Sequence, residues 1–73
     1  MNRPNPGQGR VSGELVQWDD ARGFGRIRPQ AGGALLFVHI SAFPRGAGRP
    51  QPGQRLSYAA VQGPKGPRAE AVQ

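Results

Sequence analysis

At 73 residues the chain makes one domain at most, and it contains no cysteine to cross-link a core; a domain of this size buries only about 60% of the surface its unfolded chain exposes, so packing alone must carry a modest stability. Ten Lys and Arg against four Asp and Glu leave a net charge of +6, which points to a polyanionic partner. A single histidine without cysteine excludes a zinc site, no cofactor is expected, and no run approaches the ~18 apolar residues of a membrane span or forms a signal peptide, so the chain reads as soluble and cytoplasmic.

Taken from the N-terminus, residues 1–9 hold prolines and glycines and no apolar residue after Met1, and they read as a flexible tail before a domain at residues 10–73. Twelve glycines and eight prolines punctuate the chain, so no apolar repeat at helical spacing survives and helix is nearly excluded. What remains are short runs between turn residues: Val11 to Trp18, Phe24 to Arg28, Leu35 to Ile40, Arg55 to Gln62 and Arg68 to Val72. Five such runs predict an all-β sandwich or barrel. Ala31-Gly32-Gly33-Ala34 is a natural hairpin turn, making the second and third runs antiparallel neighbours.

Strand period two then sorts the side chains. Ile27, Leu36, Val38 and Ile40 fall on one face and are expected to form the core with Leu15 or Val16, Leu56 and Val61. Phe24, Arg26, Arg28, Leu35, Phe37 and His39 fall on the other. If the phenylalanines pointed inward the aliphatic set would point outward, a worse exchange in buried area. Exposed aromatics among arginines are unusual unless they bind something, and single-stranded nucleic acid is held by this combination of stacking rings and backbone-following cations. Nine of the ten basic residues are arginine, whose planar guanidinium can fork onto phosphate or lie flat on a base. Trp18 is expected to join the stacking set, whereas Phe43 and Tyr58 are assigned to packing or the barrel rim. Asp19 and Asp20 are adjacent and read as turn caps, not as the separated carboxylates of a hydrolase. A Ser41–His39 nucleophile pair is set aside because no oxyanion loop serves it, and the chain reads as a non-enzyme.

Four ordered motifs, Val16-Gln-Trp18, Arg22-Gly-Phe-Gly-Arg-Ile27, Leu36-Phe-Val-His-Ile40 and Gly63-Pro-Lys-Gly-Pro67, make residues 10–73 resemble the bacterial cold-shock domain. The resemblance implies a five-stranded antiparallel OB-fold barrel that binds single-stranded RNA or DNA as an RNA chaperone, with no enzyme activity. It implies stacking by Trp18, Phe24, Phe37 and His39 and a backbone contact from Lys65; Arg22, Arg26 and Arg28 complete the expected nucleic-acid-binding set. The chain departs from the pattern at Asp19, Arg26 and Ile40, where the family commonly has aromatics, so the platform is smaller and more cationic. The Trp18-Asp-Asp-Ala-Arg-Gly23 and His39-Ile-Ser-Ala-Phe-Pro44 segments are most similar to a subgroup whose cold-shock domain precedes a membrane-embedded segment, which makes an excised domain of a larger membrane-associated protein one alternative. A protein-interaction barrel is the other. The expected state is a monomer, with a domain-swapped dimer as the alternative.

Overall fold

Alternating apolar residues, cut by glycine-containing turns, produce five strands in the computed structural model, which describes residues 10–46 and 48–73. They are β1 (Arg10–Asp19), β2 (Phe24–Pro29), β3 (Leu36–His39), β4 (Arg55–Gly63) and β5 (Gly66–Glu70). The strands close into a barrel in the order β1-β2-β3-β5-β4. All the pairings are antiparallel except β3 with β5, which run parallel. The all-β barrel expected from the strand runs is therefore present, with one parallel seam. The expected tail, residues 1–9, lies outside the described residues. No helix among the described residues is long and apolar enough to cross a membrane.

Leu15, Ile27, Leu36, Val38, Leu56, Tyr58, Ala69 and Val72 fill the interior, each large aliphatic among them worth about 1.5–3 kcal/mol of burial. Tyr58 spans much of the space. Room for it comes from Gly13, where a Cβ would fall 2.6 Å from the Arg28 carbonyl oxygen and 2.9 Å from the Tyr58 hydroxyl. On β1 the register passes from Leu15↔Ile27 to Gln17↔Arg26. Val16 is thus the extra residue of a bulge, which places Leu15 in the core and leaves Val16 only partly buried.

Three expectations about faces are corrected. Ile40 is 41% exposed instead of buried, because the sheet ends at His39 and Ile40–Ala42 form a 3-10 turn in which strand alternation no longer applies. Leu35 precedes β3 and stands exposed in the β2–β3 connection, so it takes no place on the sheet face. Val61 is only partly buried; it lies out of phase with the inward Leu56 and Tyr58 and pairs with the exposed Arg68, and Ala69 and Val72 close the core instead. Val72 reaches it because Ala71 turns the chain at φ 52°, in the left-handed region that side chains disfavour. Backbone bonds hold the reversal: Val72 N–H donates to Ala42 O at 2.8 Å and Gln73 N–H to Ser57 O at 2.8 Å. The Arg10 guanidinium adds bonds to the carbonyls of Ser57 and Ala71 at 2.8 and 2.6 Å.

Burial raises the Tyr58 phenol above its ordinary value, and its hydroxyl faces the Ser12 carbonyl across a long 3.5 Å contact. A pKa raised by folding means that this stability is fully present below the unfolded value of about 10 and is lost as pH rises through the folded value. The melting temperature should therefore hold to about pH 9 and fall above about pH 10. Tyr58 is the only tyrosine, so phenolate absorbance should rise together with unfolding, and Tyr58→Phe should blunt the alkaline fall. A phenolate that forms near pH 10 with the fold intact would show that the ring titrates in contact with water.

Candidate nucleic-acid interface

The outward face of β2 and β3 is set by two cross-strand pairs, Phe24↔His39 and Arg26↔Phe37. The two phenylalanine rings lie with centroids 5.3 Å apart at an interplanar angle of 35°, a distance at which aromatic pairs attract. Arg26 sits between them: its guanidinium carbon is 5.9 Å from the Phe24 centroid and 5.4 Å from that of Phe37. Both distances fall within the reach of a cation–π contact. Both rings are half-buried.

His39 ends β3 and also caps the 3-10 turn that follows. Its Nδ1 accepts from Ser41 N–H at 3.1 Å and lies 3.0 Å from Ser41 Oγ. A backbone N–H can only donate, so Nδ1 is the acceptor and the neutral ring carries its proton on Nε2. The cap fixes the imidazole beside Phe24 and accounts for the Ser41 contact without a nucleophile.

Trp18 is placed differently from the other aromatics. Beyond the bulge it pairs with Gly25, which is buried, and not with an outward residue. Its partly buried indole packs against the core and makes an edge contact with Phe43, at a centroid distance of 5.5 Å and an angle of 72°. Indole Nε1–H donates to Asp20 Oδ1 at 3.3 Å. Trp18 still reaches the platform, because one groove is lined by Trp18, Arg22, Phe24 and Arg26. Asp19 Oδ1 accepts from the backbone N–H groups of Ala21 and Arg22, both at 3.1 Å, and so caps the β1–β2 turn as its sequence position suggests.

Four exposed ion pairs engage the acidic residues: Arg22–Asp19 at 3.8 Å, Arg28–Glu14 at 3.2 Å, Arg49–Asp20 at 3.5 Å and Arg68–Glu70 at 2.6 Å. Such pairs add little to stability, but they determine which cations face an acid. Among the described residues Arg26 and Lys65 have no acidic partner, whereas Arg22 and Arg28 do. Lys65, at the β4–β5 turn, lines a groove with Arg26, Phe37 and Arg68. The structure thus brings together Trp18, Arg22, Phe24, Arg26, Phe37, His39 and Lys65, and leaves Arg28 at the far end of β2 beside Glu14. Arg68, next to Phe37 through the parallel register, is absent from the sequence-derived set. The alternation Arg68, Ala69, Glu70 was the available signal, but assigning it to this face requires the non-local pairing of β3 with β5. Among the described residues no group of His, Cys, Asp or Glu is arranged to hold a metal ion.

The family model of the 'Cold-shock' DNA-binding domain matches residues 11–73. Cold shock-like protein CspA of Bordetella pertussis is 41% identical over 61 residues, covering 81% of this chain and 91% of the relative. Cold shock protein CapA of Pseudomonas fragi is 43% identical over 61 residues, 82% of this chain and 95% of that protein. The major cold shock protein CspA of Pseudomonas aeruginosa is 41% identical over 66 residues, 88% and 93% of the two chains. The solved structure of Drosophila Unr CSD456 has the same fold at a TM-score of 0.74 and 19% identity; the match covers 86% of this chain and 25% of that one.

The placement of Trp18 depends on Gly25 having no side chain. A Cβ there would overlap the Gln17 carbonyl oxygen and lie 2.8 Å from Trp18 Cε3. Gly25→Ala should therefore destabilise the domain by about 1–3 kcal/mol, the range for overpacking, and shift Trp18 emission in whatever fraction stays folded. Gly13→Ala, which crowds Tyr58 instead, should lower the melting temperature and leave Trp18 emission unchanged. Equal emission spectra for both folded variants would show that Gly25 does not position the indole.

Proposed function

Because the chain belongs to the cold-shock domain family, we propose that it binds single-stranded RNA and DNA with low sequence specificity, as an RNA chaperone acting in the cytoplasm and without covalent chemistry. The observation that carries this reading is the outward Phe24–Phe37 pair with Arg26 over both rings. Successive bases stack on such rings for about 1–3 kcal/mol each whatever their identity, while cations follow the phosphates. His39 and Trp18 extend the platform on either side of Phe24, and Lys65 extends its charge. A protein-docking face is the weaker reading, because the net charge of +6 favours a polyanionic partner over a neutral protein surface.

Chaperone action follows from selectivity for unpaired bases. Stacking needs bases already out of the helix, so a protein that binds only the open form shifts a hairpin toward opening by mass action, with no energy source required. Trp18 is the only tryptophan and reports binding directly. Titrating a pyrimidine-rich single strand and its duplex at two salt concentrations should give micromolar or tighter affinity for the strand, clearly tighter than for the duplex, and weaker binding at higher salt. Equal affinity for the two forms would overturn the stacking model, and binding indifferent to salt would favour a protein partner.

Arg26 separates charge from stacking at a single position. If its guanidinium neutralises a phosphate, Arg26→Phe should reduce the slope of log K against log salt by about 0.7, the value for one contact to a single strand. Affinity at high salt should be equal or better, because an aromatic contact is not screened. An unchanged slope with unchanged affinity would show that the guanidinium serves only the two rings of its own platform.

A further inference from the structure

Glu70 is the unexplained residue of this face. A carboxylate beside a phosphate-binding platform repels the backbone of the ligand, yet Glu70 is only half-exposed and is held 2.6 Å from Arg68 Nη2 through its Oε2. Parallel register places Arg68 beside Phe37 and the inward Ala69 beside Val38, so Glu70 continues the row beside His39. Phe37, His39, Ser41, Arg68 and Glu70 line one groove. Two rings, Phe37 and His39, thus share a groove with a planar donor group and a planar acceptor group held against each other.

We infer that Arg68 and Glu70 form a guanine-reading edge next to the Phe37–His39 platform. The inference rests on the single-strand-binding reading above and adds base selection to it. Guanine presents two neighbouring acceptors, N7 and O6, followed by two neighbouring donors, N1–H and the N2 amino group. A guanidinium fork fits the first pair, and a carboxylate, which only accepts, fits the second. No other base offers this order: thymine alternates acceptor, donor, acceptor, adenine sets its amino donor between two acceptors, and cytosine has a single exocyclic donor. The ion pair consumes one guanidinium nitrogen and one carboxylate oxygen, leaving donors on Arg68 and acceptors on Glu70 for the base. A base stacked on Phe37 or His39 would present its edge to this pair, while its phosphates lie toward Arg26 and Lys65.

The test uses the whole chain and a seven-nucleotide all-thymidine DNA strand, with guanine placed singly at each position in turn. One position should bind at least roughly fivefold tighter than the parent strand, the lower end for a bidentate side chain–base contact. Adenine at that position should give no gain. Inosine, which lacks the N2 amino group, should lose the N2 contact to Glu70 while keeping N1–H, and 7-deazaguanine the N7 contact to Arg68 while keeping O6, so each should show a smaller gain than guanine. Glu70→Gln should diminish the guanine gain while binding the all-thymidine strand as well as wild type or better; that retained binding also demonstrates an intact fold. Binding of the parent strand with no guanine gain at any position would overturn the inference and leave the single-strand reading standing. A gain undiminished in both Glu70→Gln and Arg68→Gln would place the guanine elsewhere and overturn the inference, and no binding to any strand would overturn both readings.

Discussion

A five-stranded barrel has interior room for one layer of side chains, and here that layer is already full. Leu15, Ile27, Leu36, Val38, Leu56 and Tyr58 occupy it, and Gly13 and Gly25 are small because the backbone and rings approach too closely for a Cβ. Strand period two then leaves no choice for the alternate positions of β2 and β3. A one-residue slip would bring Phe24 and Phe37 inward only by expelling Ile27, Leu36 and Val38 together. The ligand-facing character of the surface is thus a consequence of how the core is filled.

Charge is distributed on this surface with the same economy. Each acidic residue has an arginine within ion-pair distance, which blunts the field along the turns and at the ends of the strands. Arg26 and Lys65, like Arg10, Arg45 and Arg55, have no such partner among the described residues, and these two stand beside the rings. Arg26 occupies a place where the family commonly carries an aromatic, yet it keeps contact with both neighbouring rings. The substitution therefore retains a packed platform and changes how that platform responds to ionic strength.

The strands, the hairpin at Gly32 and Gly33, and the inward and outward sets of β2 and β3 were legible in the sequence because each depends on neighbours a few residues away. Both glycines do adopt positive φ, 97° and 98°. Where strand alternation fell short, a side-chain cap, an inserted residue or a non-local pairing decided. Ile40 leaves the sheet because His39 Nδ1 caps a 3-10 turn, a bond that alternation does not reveal. Trp18 reaches the platform from β1 with its ring against Phe43 because a bulge at Val16 shifts the register of that strand, and periodicity carries no mark of an inserted residue. Arg68 joins the platform only through the parallel β3–β5 pairing, between segments separated by all of β4. Of the two places expected for Tyr58, packing or the rim, it takes the first, and the facing glycine, Gly13, supplies the space that buries it.

The β3–β5 seam is also the weakest line in the barrel. Only two residue pairs are in register there, Phe37↔Arg68 and Val38↔Ala69, against six along β1–β2. Whatever lies across Phe37 and Arg68 at once crosses this seam and acts as an external staple, resisting the same opening that a short ladder resists poorly. In a domain whose margin of stability is small, occupancy of the surface and integrity of the barrel become linked quantities, each rising with the other.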